Sequence, residues 1–169
     1  MRLIAGKLDF LGLNIYFGKF VRKGDGETPY TIFNEDTAPH EPGLTDLRYE
    51  PDSMYWGCRF VSELWNIPEI LISENGVRAR DRIHPRTGEI YDLFRIKFLR
   101  NYLTSLSRAV SEDFPIKGYF HWSLLDNLEW NQGFTPRFGL VYVNFRTLER
   151  IPKLSSRWYR ELIRSGSIV

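Results

Sequence analysis

Three short, nearly continuous apolar runs alternate along the chain with longer segments in which apolar residues recur every three or four positions. The runs cover 9–16, 69–73 and 116–122, and each predicts a strand that is buried on both faces. The periodic segments predict amphipathic helices. Because strand, loop and helix follow one another three times, the pattern predicts an α/β fold with a parallel sheet and helices packed on it.

The predicted helices are marked by start and stop signals as well as by their period. The first is expected to begin with a cap at Asp52 or Ser53 and to run to about Asn66. The second is expected over 92–112 and the third over 154–164. The residues predicted to face the core are Tyr55, Trp56, Val61, Leu64 and Trp65 in the first helix, Ile96, Leu99, Leu103, Leu106 and Val110 in the second, and Leu154, Trp158, Leu162 and Ile163 in the third. The apolar stripe of the second helix leaves out Arg95, Lys97, Arg100 and Arg108.

The segments between these elements include one unusually long loop. Residues 22–51 contain several Pro and Gly and show no clear period, and a compact domain rarely contains so long an irregular loop unless it has a function. Residues 139–145 predict a short extended segment. No linker or change of composition divides the chain, so we expect a single domain over 1–169.

Polar and aromatic side chains stand where the predicted strands end. They are Asn14 and Tyr16 at the end of the first strand, Glu74 and Asn75 directly after the second and Trp122 at the end of the third. In parallel α/β folds the carboxyl ends of strands carry function, so these side chains are expected to converge on one site. Taken singly, each end is also compatible with ordinary strand-to-loop chemistry, and Glu74 with a solvated carboxylate that opens an Asn-Gly turn.

The segment 122–130 combines two indoles, Trp122 and Trp130, with the carboxylates of Asp126 and Glu129. Indoles offer a flat apolar face and an N–H donor, and carboxylates accept hydrogen bonds from hydroxyls. This combination suits a polyhydroxylated ligand, although a core contact beside an ion pair is the alternative. The aromatic content of 15% is compatible with both.

Charge and cysteine content exclude several other classes of function. The formal charge is +2, with 23 basic and 21 acidic residues and no basic run, so we expect no nucleic-acid partner. No apolar stretch is long enough to cross a bilayer, and the first residues do not form a signal peptide. Cys58 is the single cysteine, which fits a cytoplasmic location. No spacing of His, Cys and Asp suggests a metal site.

Five ordered motifs resemble the family-1 glycoside hydrolases, the β-glucosidase and β-galactosidase family. They are DFLGLNIY at 9–16, ISENG at 72–76, GYFHWSLLDNLEW at 118–130, RFGL at 137–140 and KLSSRWY at 153–159. The resemblance covers nearly all 169 residues. It implies that the chain is the C-terminal part of a (β/α)8 TIM barrel, strands six to eight with their helices, and that it forms a single partial domain.

The resemblance also implies a chemistry and assigns residues to it. The reaction is the retaining hydrolysis of a β-linked glucoside or galactoside, without a cofactor, and Glu74 is its catalytic nucleophile. Tyr16 donates a hydrogen bond to that carboxylate, which favours its ionised form. The residues implied to bind the substrate are Asn14, Tyr16, Trp122, Glu129, Trp130 and Phe138.

One part of the family pattern is missing. A retaining glycosidase needs a second carboxyl group as acid/base, and the Asn-Glu-Pro motif that carries it in this family does not occur in the sequence. A barrel of this type takes about 250 residues. We therefore expect the isolated chain to be nearly inactive and to need a complementing N-terminal barrel half or to self-associate. The alternative is a non-catalytic remnant or a sugar-binding fragment.

Overall fold

The computed structural model describes residues 6–32 and 49–168, and three parallel strands lie at the centre of the structure. The elements in chain order are β1 (Leu11–Asn14), β2 (Val21–Lys23), β3 (Tyr30–Ile32), α1 (Asp52–Trp65), β4 (Ile70–Asn75), α2 (Leu93–Ser111), β5 (Ile116–His121), β6 (Val141–Val143), β7 (Arg150–Pro152) and α3 (Leu154–Ser165). The central sheet has the order β1-β4-β5, with both pairs parallel. The predicted parallel α/β arrangement is confirmed, and the described residues form an open sheet rather than a closed barrel.

The first helix, α1, differs from its prediction in both its cap and its buried side. Pro51 precedes the helix, no side chain caps it, and the Ser53 hydroxyl instead donates to the Glu50 carbonyl at 2.6 Å. The predicted cap at Asp52 or Ser53 is therefore wrong. Tyr55 is buried and Val61 packs against the core, as predicted. Trp56, Leu64 and Trp65 were also predicted to face the core but are exposed, and the other buried residues are Met54 and Cys58.

The second helix confirms its predicted bounds within one residue, since α2 runs from Leu93 to Ser111. Leu99, Leu103 and Leu106 are buried as predicted. Val110, in contrast, is half-exposed, so its predicted burial is wrong. Arg95 is completely buried, although it lies outside the apolar stripe. Burial of Arg95 is possible because two aspartates, described below, surround its guanidinium group.

The third helix, α3, matches its predicted bounds to within a residue at its end. Trp158 and Leu162 pack against the core as predicted, and Tyr159 joins them. Ile163 is 64% exposed, which corrects its predicted burial. The helix has one apolar stripe, and Ile163 lies beside that stripe rather than in it.

Two short antiparallel hairpins flank the central sheet. Val141–Val143 pairs with Arg150–Pro152, which confirms the predicted extended segment over 139–145. The long segment 22–51, predicted as a loop, starts with a second hairpin between Val21–Lys23 and Tyr30–Ile32. Residues 33–48 of that segment lie outside the described residues.

The core lies between the sheet and the helices. Its buried members are Met54, Tyr55, Cys58, Ile70, Ile72, Val77, Phe98, Leu99, Tyr102, Leu103, Leu106, Ala109 and Leu140. The side chains of Ile70 and Ile72, two residues apart in β4, point to the same side of the sheet, toward the helices. Over 6–32 and 49–168, none of the helices combines the length and the apolar content that a membrane span requires.

Candidate active site

A cavity of about 510 Å³ lies where the central strands end. Its lining residues are Tyr16, Phe17, Glu74, Trp122, Leu128, Glu129, Trp130 and Phe138. Six of the seven side chains that the resemblance implies therefore line one cavity. For Tyr16, Glu74 and Trp122 this agrees with the convergence predicted from their places at strand ends.

Asn14 is the implied residue that the structure leaves outside this lining. It ends β1, its side chain is exposed, and its Oδ1 accepts a hydrogen bond from the Ser73 hydroxyl at 2.8 Å. Phe17 and Leu128 line the cavity, although the sequence reasoning did not select them. Their positions, directly after Tyr16 and directly before Glu129, were the available signal.

Glu74 and Tyr16 form the central polar contact of the cavity. Glu74 lies inside β4, one residue before its end, rather than beyond it as predicted. The Tyr16 hydroxyl donates to Glu74 Oε2 at 2.7 Å, and the Ile15 amide donates to the Glu74 carbonyl at 2.9 Å. Burial of the phenol and the nearby Glu74 carboxylate raise the pKa of Tyr16 well above its ordinary value. Tyr16 therefore stays protonated and keeps aiming its hydrogen at Glu74.

Trp122 and Glu129 form a second pair in the lining. The indole N–H of Trp122 donates to Glu129 Oε1 at 3.1 Å. Glu129 is held in turn by its backbone, because its amide donates to the Gly133 carbonyl at 2.8 Å. A single 3-10 turn follows at Trp130–Gln132, and it leaves the Trp130 side chain 92% exposed.

Glycine permits the close chain approach on which this lining depends. A Cβ on Gly76 would lie 1.8 Å from the Trp122 carbonyl oxygen. The chain that leaves β4 after Glu74 therefore passes directly against the chain that leaves β5. A side chain at Gly76 would force the two chains apart at Trp122.

A cluster of buried charges, which we call the buried ion cluster, lies outside the cavity lining. It consists of Asp81, Asp92, Arg95, Asp126, Arg137 and Lys153. The ion-pair alternative for the segment 122–130 applies to its member Asp126, and the other members were not predicted. Burial lowers the pKa of Lys153, while Asp81 at 2.5 Å and Asp126 at 2.8 Å accept hydrogen bonds from its ammonium group. The spacing of Asp92 and Arg95, three residues apart at a helix start, was a signal for at least one of these pairs.

His121 lies behind the cavity and is absent from its lining. Its Nε2 is 3.3 Å from the Phe138 carbonyl oxygen, and its ring packs near Tyr159. Burial, followed by the charge of Arg95, lowers the pKa of His121 to about 3. The imidazole is thus neutral and packs outside the cavity lining.

The site brings together two carboxylates, one phenol donor and two indoles around a cavity large enough for a sugar ring. A carboxylate aimed by a single donor can act as a nucleophile. The second carboxylate and the indoles can bind hydroxyls and an apolar sugar face. Within the described ranges, no group of three or more His, Cys, Asp or Glu residues is arranged to hold a metal ion.

Comparison with known proteins assigns the family. The family model described as Glycosyl hydrolase family 1 matches residues 1–167. The chain is 39% identical to Beta-glucosidase A of Thermotoga maritima over 171 aligned positions, which cover 99% of this chain and 37% of that protein. It is 35% identical to Beta-glucosidase 1 of Oryza sativa subsp. japonica, with 98% and 34% covered.

Solved structures give the same result. The chain superposes on a family 1 β-glucosidase from Thermotoga maritima with a TM-score of 0.85 and 36% identity, covering 96% of this chain and 36% of that one. The chain thus spans about a third of the length of these relatives. The family match over almost every residue, together with the high structural similarity, shows that the chain belongs to glycosyl hydrolase family 1.

Proposed function

We propose that the chain supplies the nucleophile and most of the sugar-binding surface of a retaining β-glycosidase. The observation that carries this proposal is the hydrogen bond from Tyr16 to Glu74 at 2.7 Å, made inside a cavity that Trp122, Glu129 and Trp130 also line. The donor leaves the second oxygen of Glu74 available to a reacting carbon. The indoles offer apolar faces on which a sugar ring can stack, and Glu129 offers oxygens that accept hydrogen bonds from its hydroxyls.

In the proposed reaction Glu74 attacks the anomeric carbon of a β-linked glucoside or galactoside. A bond forms between a Glu74 oxygen and that carbon while the bond to the leaving-group oxygen breaks, and a general acid protonates the leaving oxygen. Water then attacks the same carbon from the other side and gives up its proton to the acid/base group, which frees Glu74. Two inversions give net retention.

We assign the remaining side chains to binding. Trp122 and Trp130 flank the glycone, Glu129 accepts hydrogen bonds from its hydroxyls, and Phe138 shapes the wall. Asn14 is assigned to the edge of the glycone site, where its bond to Ser73 keeps it beside β4. The structure of the Thermotoga maritima relative in complex with glucoimidazole supports the use of that inhibitor as a probe here.

We further propose that the three parallel strands correspond to strands six to eight of a (β/α)8 barrel, in one partial domain over 1–169. Within the described residues, Glu74 and Glu129 are the carboxylates that line the cavity, and Glu129 bonds to an indole on the binding side. The acid/base group is therefore assigned to an N-terminal barrel half. A cytoplasmic location is part of the proposal and is supported by the buried, unpaired Cys58.

A mechanism-based label tests the nucleophile. The chain is mixed with a separately expressed N-terminal half of a family-1 β-glucosidase, treated with a fluorinated aryl glucoside and digested for mass spectrometry. Such a reagent traps the covalent intermediate, so the label is expected on Glu74 and is expected to vanish in Glu74→Gln but not in Glu129→Gln. A label on Glu129 would refute the assignment.

The second candidate function is sugar binding without catalysis, and the missing Asn-Glu-Pro motif favours it. The same mixture separates the two candidates. Binding of glucoimidazole without any covalent label, even in the presence of the N-terminal half, would support the binding function and contradict the hydrolase.

A further inference from the structure

The buried ion cluster joins parts of the chain that are far apart in the sequence. Asp81 lies in the loop after β4, Arg95 in the first turn of α2, and Lys153 directly before α3. Three acidic and three basic side chains balance one another, and all of them except Arg137 are fully or almost fully buried. Such a cluster keeps its shape because an unpaired charge at this depth would be costly.

Asp126 lies in the segment 122–130, and three of the four groups that donate to its carboxylate lie in the segment 137–143. Its Oδ1 accepts hydrogen bonds from Lys153 Nζ at 2.8 Å and from the Gly139 amide at 2.9 Å. Its Oδ2 accepts from Arg137 Nη1 at 2.6 Å and from the Val143 amide at 3.3 Å. One carboxylate therefore uses four donors.

These donors lie around the residues that line the cavity. Arg137 and Gly139 are the two neighbours of Phe138 in the chain, and Asp126 itself lies between Trp122 and Glu129. We propose that Asp126 is a positioning residue, which fixes the segments 122–130 and 137–143 against each other and thereby sets the place of Trp122 and Phe138 in the cavity. The inference rests on the proposed function for its purpose, but its geometry is independent of that function.

Asp92 provides a matched comparison within the same cluster. It is also buried and also pairs with a buried arginine, Arg95. Asp92 also accepts two hydrogen bonds from Ser155, one from the backbone amide at 2.9 Å and one from the hydroxyl at 2.5 Å. Among the described residues, the hydrogen-bond and ion-pair partners of Asp92 lie outside 122–130 and 137–143. Its partner Arg95 donates to the Arg137 carbonyl at 2.8 Å, so Asp92→Asn removes a buried charge of the same cluster that contacts the wall only through another residue.

The test uses the full chain labelled with 5-fluorotryptophan, whose five resonances are assigned by Trp→Phe substitution. In Asp126→Asn, we expect the Trp122 resonance to move by more than its linewidth, while the Trp158 resonance on α3 stays in place. In Asp92→Asn, we expect the Trp122 resonance to keep its wild-type position. An unchanged Trp122 resonance in Asp126→Asn, or an equal change in both variants, would overturn the proposal.

A second variant covers the case in which Asp126→Asn does not fold. Asp126→Asn combined with Lys153→Met removes both partners of the buried pair, which costs less stability than leaving one charge alone. We expect this double variant to show the same displaced Trp122 resonance, and a wild-type position would contradict the positioning role.

Glucoimidazole separates this inference from the proposed function. Misplacement of the wall is expected to weaken its binding by at least about tenfold in Asp126→Asn and to leave it unchanged in Asp92→Asn. If the wild-type chain, with its N-terminal half present, does not bind glucoimidazole at all, the proposed function fails. The comparison of Trp122 resonances in the ligand-free proteins still decides the role of Asp126.

Discussion

The Tyr16 hydroxyl is the one donor that the described residues direct at the Glu74 side chain. A hydrogen bond to a charged group is worth about 1.5–3 kcal/mol. We therefore expect Tyr16→Phe to slow the labelling of Glu74 in the complemented enzyme by roughly ten- to a hundredfold. The rate of label formation, followed by mass spectrometry, measures this effect.

Tyr91→Phe is the control for that substitution. Tyr91 also donates to a carboxylate, Glu89, but this pair lies outside the cavity. The control is expected to label at the wild-type rate. Equal rates for Tyr16→Phe and wild type would mean that the contact with Glu74 has no part in the reaction.

His121 makes the stability of the chain depend on pH. The unfolded imidazole binds a proton below about pH 6.5, whereas the folded one stays neutral down to about pH 3. Because the unfolded state binds more protons in this window, the free energy of unfolding falls as pH falls, by at most about 1.4 kcal/mol per pH unit. In His121→Gln, this contribution to the fall of the free energy of unfolding at low pH should be absent.

Urea unfolding at about pH 7.5 and about pH 5 checks the prediction, because the unfolded imidazole takes up a proton between these pH values and the folded one does not. The exposed His84 serves as the control, because His84→Gln leaves the buried imidazole intact. A wild-type chain whose pH dependence matches that of His121→Gln would show that His121 does not stay neutral.

At the scale of single elements, the sequence predicts where a helix begins and ends better than it predicts which of its side chains are buried. The bounds of α2 and α3 follow from period and from the flanking Pro and Gly residues. Trp56 and Leu64, in contrast, fit an apolar stripe and are exposed. Their exposure depends on which elements pack against α1, and a local pattern does not contain that information.

A similar distinction holds between the cavity residues, which a local pattern could identify, and the buried ion cluster, which it could not. Glu74 and Trp122 could be found because they end apolar strands, and their convergence follows from parallel order. Asp126 and Arg95 could not be assigned, because pairing between buried charges depends on loops that meet only in the folded chain. Arg95 in particular looks like any solvated helix arginine until Asp81 is placed beside it at 3.1 Å.

The exposed apolar side of α1 predicts self-association of the isolated chain. Trp56, Phe60, Leu64 and Trp65 are all exposed, with Leu64 at 71%, and such a surface recruits other apolar surfaces. We expect Phe60→Glu combined with Leu64→Lys to lower association in analytical ultracentrifugation. Stability should change little, because exposed substitutions cost within about 0.5 kcal/mol each.

Met54→Ala is the matched substitution on the buried side of the same helix. It should cost about 2–5 kcal/mol of stability without reducing association of the folded chain. If the double substitution on the exposed side leaves association unchanged, another surface of the chain is responsible for it.

At the scale of the whole molecule, both outer strands of the described central sheet lack a second neighbour. The order β1-β4-β5 places β1 and β5 at its edges, and the apolar residues Phe10 and Phe120 are exposed beside them. Unpaired edges recruit other strands. An N-terminal barrel half is the partner that the proposed function requires, because relatives are about three times as long as this chain.

We therefore expect the isolated chain to have little or no β-glycosidase activity. General acid catalysis contributes roughly 10²–10⁴-fold to such reactions, and the proposed acid/base group lies outside the chain. The loss should be larger still, because the cavity lining is exposed to water, as the 92% exposure of Trp130 shows, and the N-terminal half is proposed to cover it. The purified chain is assayed on an aryl β-glucoside, alone and after addition of the N-terminal half of a family-1 enzyme.

Addition of the N-terminal half is expected to restore turnover, and Glu74→Ala should abolish it in the mixture. Glu69→Ala provides a matched control, because Glu69 lies before the start of the same strand, β4, at the end opposite the cavity. Robust turnover by the chain alone, lost in Glu74→Ala and kept in Glu69→Ala, would contradict the prediction. It would mean that a carboxyl group of this chain, with Glu129 the first to test by Glu129→Gln, serves as the acid/base partner of Glu74.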